Sequence, residues 1–113
     1  MLEQNKSNYM VKSTGIKKRT AIFISGNGSN MKNLVKFSKI KNAPIKVDLV
    51  ISSNKKSNAI QYLKKNKIYF KIFEFKQKNK DEIKIFDILK KKKIQLICLA
   101  GFMKILSGSF IKN

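Results

Sequence analysis

Few residues in this chain could do chemistry on a ligand, and the most suggestive are consecutive. Gly26-Asn27-Gly28-Ser29-Asn30 directly follows the apolar run Ala21-Ile22-Phe23-Ile24. The two glycines permit backbone angles that a side chain would forbid and let a ligand approach the main chain. A helix capped by Ser29 or Asn30 would leave its first N–H groups and its positive dipole end facing the turn. Such a place takes an anion, most simply a phosphate. The alternative is a tight strand-to-helix turn without a ligand. A dinucleotide is disfavoured, because Met31 stands where that fingerprint needs a third small residue. The second apolar run also ends in Ser52-Ser53-Asn54 with no acid at its tip, and Asp48 lies inside the run. A single phosphate on a small molecule fits better.

Other reactive side chains are scarce. The chain has no histidine, so neither a zinc site of the usual kind nor a Ser-His or Cys-His pair can be built from it. No residue is assigned a catalytic or metal-binding role. Cys98 is the only cysteine; within Ile97-Cys98-Leu99 it reads as a small buried thiol packing as a hydrophobe. A single cysteine excludes an internal disulfide and points to a reducing, cytoplasmic setting. No apolar run approaches the roughly 18 residues of a membrane span.

The formal net charge is +20, from 26 Lys and Arg against six acids, which ordinarily suggests a nucleic acid or an anionic membrane. However, Arg19 is the sole arginine, and bidentate recognition of bases and phosphates favours arginine. The lysines are spread along the chain among Ile and Asn, so they read as a solvated surface. A basic nucleic-acid-binding domain stays open as an alternative that would need them gathered on one face.

The 113 residues, 42% of them hydrophobic, suit one modest domain with a core. Residues 1–18 are polar and basic and read as a mobile extension, leaving residues 19–113 as the α/β unit. Ala21 to Ile24 is a short buried strand, followed by a helix from Ser29 to Ser38 and a connection around Pro44. Val47 to Ile51 makes a second strand, Asn58 to Asn66 a short helix, and Ile68 to Phe73 a third strand. After a loop at Gln77 to Lys80, a helix starts at Asp81 or Glu82 and ends in Lys90 to Lys93, its acidic start and basic finish matching the dipole. Ile94 to Ala100, apolar except at Gln95, is the fourth strand, and Gly101 to Ser107 leaves it.

Strands and helices alternating in this way make a Rossmann-like, doubly wound, mostly parallel sheet. In the order 3-2-1-4 the first and fourth strands are neighbours, and ligands bind beyond their carboxyl ends at that switch point. The polar Gly26 to Asn30 loop then lies beside the apolar Gly101 to Leu106 loop, an arrangement for two ligands side by side.

Two stretches carry a family resemblance. Ile24-Ser25-Gly26-Asn27-Gly28-Ser29-Asn30 and Leu99-Ala100-Gly101-Phe102-Met103-Lys104-Ile105-Leu106-Ser107 resemble the phosphoribosylglycinamide formyltransferases, the folate-dependent formyl transferases of purine synthesis. The likeness runs from Arg19 to the C-terminus. Methionyl-tRNA formyltransferases and formyltetrahydrofolate deformylases share the fold but differ in the first loop. The resemblance implies that Gly28, Ser29 and Asn30 contact the phosphoribosyl end of glycinamide ribonucleotide. It also implies that Met103, Lys104, Ile105 and Leu106 line the pocket for 10-formyltetrahydrofolate, with Lys104 in the usual place of an arginine. Lys80 is the nearest match to a folate-binding arginine ahead of the third helix. Phe102, Ile105 and Leu106 read equally well as plain core.

The family's catalytic asparagine and histidine lie in an asparagine-isoleucine-histidine-proline-serine motif after the second stretch, with an aspartate further on. This sequence ends at Phe110-Ile111-Lys112-Asn113, so the resemblance implies an N-terminal part that carries binding walls without the chemical centre. A binding module without catalysis is the alternative. With no further strand in the sequence, the outer edge of the fourth strand is expected to be bare and prone to self-association.

Overall fold

Thr20, Ala21, Ile22, Phe23 and Ile24 have no exposed surface, and the rest of the chain is laid around them. They belong to β1 (Lys18–Ile24), one of the two inner strands of a four-stranded all-parallel sheet. β2 (Ile45–Ser52) lies on one side of it with β3 (Phe70–Ile72) beyond, and β4 (Leu96–Leu99) lies on the other. The order is therefore β3-β2-β1-β4, as the sequence predicts. The computed structural model describes residues 17–104 and 106–112; the extension assigned to residues 1–18 falls almost wholly outside them, and Lys18 opens β1.

Alternation along β1 divides its side chains between two apolar layers. Ile22 and Ile24, with Val50 of β2, pack against Met31 and Val35 of α1 (Ser29–Ser38) and Ala59 and Leu63 of α2 (Ala59–Lys65). Ala21 and Phe23, with Leu49 and Ile51, pack on the other face against Ile85 and Leu89 of α3 (Lys78–Lys91) and Phe110 of α4 (Gly108–Lys112). Helices on both faces make the sheet doubly wound.

Most boundaries differ from the sequence reading by one to three residues, with β1 and β2 starting earlier than expected, and three of the differences have a clear physical reason. Lys67 and Lys93, in the left-handed region at φ 56° and 55°, follow α2 and α3. The next N–H groups turn back, Ile68 to the Leu63 carbonyl and Ile94 to that of Leu89, both at 2.9 Å. These six-to-one bonds close the helices and take Ile68 and Ile94 out of the strands. α3 starts three residues before Asp81, whose Oδ2 accepts the Phe75 N–H at 2.9 Å; the acid hooks the incoming chain from inside the helix.

Asp48 and Gln95, the polar interruptions of apolar runs, also have structural uses. The β1–β2 register runs from Thr20↔Val47 to Ala21↔Leu49, so Asp48 is the unpaired residue of a bulge. It accepts the Arg19 Nε–H at 2.9 Å. Gln95 Oε1 accepts the Arg19 N–H at 3.0 Å, and the Gln95 N–H donates to the Arg19 carbonyl at 2.7 Å, starting the β1–β4 pairing.

α1 begins against α2 with no space between them. Gly28 sits at φ 79°, and a Cβ there would lie 2.8 Å from Ala59 Cβ and 3.0 Å from Met31 Cε. The missing side chain at Gly28 is thus taken up by the neighbouring helix, whereas a Cβ at Gly26 would meet nothing within 4 Å. Gly28→Ala is expected to lower stability by about 2 kcal/mol, combining left-handed strain with the clash. Urea denaturation of that variant, Ala59→Gly and the double variant checks the cause: relief of the clash makes the double variant more stable than the two single losses predict. Simple additivity would show that backbone strain alone demands the glycine.

Candidate functional site

At the carboxyl ends of β1 and β2 the apolar strands give way to short hydroxyl side chains. Ser25 follows β1 and Ser53 follows β2; their Oγ atoms are 2.6 Å apart and both residues are buried. The Ser53 N–H donates to the Ile24 carbonyl at 3.0 Å, holding the two strand ends in step. Ser57 donates its hydroxyl to the Gly26 carbonyl at 2.6 Å and accepts the Ala59 N–H at 3.0 Å. One hydroxyl therefore ties the first turn to the start of α2. Buried polar groups must be satisfied, and here each strand-end serine satisfies another loop.

The turn itself differs from the expected cap. Gly28 is the N-cap of α1 and makes no side-chain capping bond; Ser29 and Asn30 are the first two helical residues, both exposed. The Ser29 N–H donates instead to Asn27 Oδ1 at 3.1 Å, an Asx-type closure. The Lys32 N–H is the first to reach back into the turn, to the Gly28 carbonyl at 2.8 Å. The N–H groups of Asn30 and Met31, in the first turn of the helix, have no main-chain acceptor among the described residues. Main-chain donors at the positive end of a ten-residue helix are the kind of groups that attract an anion.

The second loop lies directly against this turn. Gly101 at φ 73° turns the chain out of β4, and the Met103 N–H donates to Ser25 Oγ at 2.8 Å. Further on, Ser107 donates from N and Oγ to the Glu82 carboxylate at 2.8 and 2.6 Å. Between these two tethers the side chains divide. Phe102 packs edge-on to Phe23 and Phe75, with ring centroids 5.3 and 5.7 Å away, so it is core. Met103 is 81% exposed and Lys104 is exposed, leaving both free to meet a ligand.

The remaining expected ligand contacts are less gathered. Leu106 is half-buried against the α3-side core and lines a groove beside β4. Ile105 lies outside the described residues. Lys80 is exposed in the first turn of α3 rather than ahead of it, where Lys76 and Gln77 stand. The structure thus ties Met103 to Ser25, the residue that opens the turn carrying Gly28, Ser29 and Asn30.

Sequence reasoning overlooked Ser25, Ser53, Ser57 and Glu82 as individuals. Their signal was present: hydroxyls at the ends of apolar runs, and a glutamate among the apolar positions of a lysine-rich helix, need local partners if buried. Cys98 opposes Ile22 in the sheet and packs against the α1 and α2 layer. Burial pushes its thiol above the ordinary value, so it is a protonated packing group at neutral pH. No group of metal-ligating side chains occurs among the described residues, and no described helix is long and apolar enough to cross a membrane.

Comparison with known proteins places this geometry. Residues 18–113 match the family model described as formyl transferase. A human protein, trifunctional purine biosynthetic protein adenosine-3, is 34% identical over 100 residues, covering 86% of this chain and 10% of that protein. The crystal structure of phosphoribosylglycinamide formyltransferase from Brucella melitensis aligns with a TM-score of 0.78 at 34% identity, over 84% of this chain and 51% of that one. Glycinamide ribonucleotide transformylase 1 from Geobacillus kaustophilus aligns with a TM-score of 0.78 at 26% identity, over 85% and 53% of the respective chains. The chain spans about half the length of these structures. With the parallel β3-β2-β1-β4 sheet, the glycine turn after β1 and a match over residues 18–113, the chain belongs to the formyl transferase family.

Proposed function

We propose that this chain forms binding walls for folate-dependent formyl transfer to the amine of glycinamide ribonucleotide. The Gly28 to Asn30 turn receives the phosphate through main-chain N–H groups, and the Met103 to Leu106 loop receives 10-formyltetrahydrofolate. The observation that carries this reading is the 2.8 Å hydrogen bond from Met103 N to Ser25 Oγ, which sets a polar and an apolar loop side by side. Relatives named for glycinamide ribonucleotide support the choice of substrate.

In such a transfer the amine nitrogen attacks the formyl carbon, the carbonyl oxygen gains negative charge, and the amine proton passes to the departing folate nitrogen. Residues 25–30 and 101–107 contain no His, Asp or Glu to move that proton. The chain's own part is to orient: N–H groups fix the phosphate, while exposed Met103 and Lys104 confront the folate. Calorimetric titration of the full chain with glycinamide ribonucleotide tests the reading. Saturable binding is expected, without formyl transfer above a reagent blank when 10-formyltetrahydrofolate is added. Absence of binding would remove the assignment of the turn, and turnover would reveal an acid–base group outside both loops.

We infer further that β4 pairs with a second copy once charge is screened. Its outer side has no strand neighbour among the described residues, and Leu96, Ile97 and Leu99 are 36%, 36% and 59% exposed. Beside it runs a groove of about 520 Å³ lined by Phe86, Leu89, Phe110 and the edge residues, with Lys90 and Lys93 on its wall. An apolar edge is a pairing template, and repulsion between chains of charge +20 opposes pairing at low salt. Screening contracts to about 3 Å at 1 M salt. Light scattering is therefore expected to rise with salt, and Leu99→Lys is expected to suppress the rise. A wild-type chain that stays monomeric throughout would refute the pairing.

A further inference from the structure

We propose that Ser25 is a positioning residue that couples the two loops, so that an anion held in the Gly26 to Asn30 turn is felt at Met103. This inference rests on the phosphate reading of that turn. Ser25 lies between the last residue of β1 and Gly26, so its main chain begins the turn while its side chain faces the other loop. Its hydroxyl accepts the Met103 N–H from 78 positions along the chain.

The second loop has few other attachments. The Ala100 N–H still pairs with the Phe23 carbonyl at 2.9 Å, and Ser107 is held by Glu82. Between those points, the Met103 bond to Ser25 is the only hydrogen bond to the body of the fold among the described residues. Phe102 adds an apolar anchor one residue earlier. The exposed Met103 and Lys104 side chains therefore take their placement from a main-chain segment whose polar restraint is one serine.

Serine suits this task because it is short. Its oxygen is one rotatable bond from the backbone, and Ser53 Oγ at 2.6 Å helps to hold that bond in one rotamer. Any shift of the Ser25–Gly26 backbone moves the acceptor under the Met103 N–H. Ser53 and Ser57 tie the same turn to β2 and α2, leaving the Met103 loop as the less restrained partner. Coupling through one hydrogen bond is worth about fivefold in either loop's equilibrium, and linkage requires the effect to be reciprocal.

The test uses the full chain and inorganic phosphate, with residue-resolved hydrogen exchange as the readout. Saturating phosphate is expected to slow Met103 N–H exchange about fivefold in the wild type. Ser25→Ala should speed that exchange and abolish the response, while phosphate affinity falls by no more than about the same factor. Ser25→Thr, which keeps the hydroxyl, should restore the response. Ser53→Ala, which frees the rotamer but leaves the acceptor, should diminish it and provides the test if Ser25→Ala does not fold. A purely structural serine would alter Met103 exchange equally with and without phosphate, and that result would overturn the proposal. Phosphate binding to the wild type with Met103 unaffected would also overturn it while leaving the anion site standing. No phosphate binding would remove both.

Discussion

The complete burial of β1 is the constraint on which the other elements depend. Five consecutive residues without exposed surface require a strand on each side and helices on both faces. That arrangement leaves the strand's carboxyl end as the place where its chain returns to solvent. The turn after Ile24 must therefore reverse from a dry interior to a wet surface within a few residues. Small and hydroxyl-bearing residues do so, because they bond to neighbouring loops while adding little bulk. Apolar packing thus determines where the site is, and short polar side chains determine its shape.

Much of this was legible in the sequence because period and punctuation agreed. The first helix was readable at about Ser29 to Ser38, though not its cap, since glycines precede it and the apolar positions recur at helical spacing. The strand order followed from alternating elements and the switch-point rule. The less legible parts were those decided by backbone angles at ordinary residues. Nothing in a lysine foretells the left-handed conformation of Lys67 or Lys93 that shortened β3 and β4. Asp81 looked like a helix start because acids favour first turns, yet it reaches back from inside α3 to the Phe75 N–H.

The candidate site was legible as a pair of loops, but not as a network. Gly28, Ser29 and Asn30 stand where motif spacing put them, yet the cap is the glycine itself and the closure comes from Asn27. Phe102 proved to be core, and Leu106 turned toward the groove beside β4. Ser25 and Glu82 were invisible as tethers, because their partners, Met103 and Ser107, are 78 and 25 positions away. Contacts of that range are set by the sheet order and carry no local periodicity.

The close approach of Gly28 to Ala59 has a thermodynamic consequence. Because the first turn of α1 rests on the first residue of α2, and Ser57 clasps the Gly26 carbonyl, the main-chain donors are held in place before any ligand arrives. An anion entering such a preorganised cradle would lose hydration but immobilise little of the turn itself. Affinity there would become a contest between the anion's own desolvation and fixed N–H dipoles, with the turn's conformational entropy nearly absent from the balance. Stiffness contributed by a missing methyl group would then appear in binding as a small entropic penalty, with no atom of Ala59 touching the ligand.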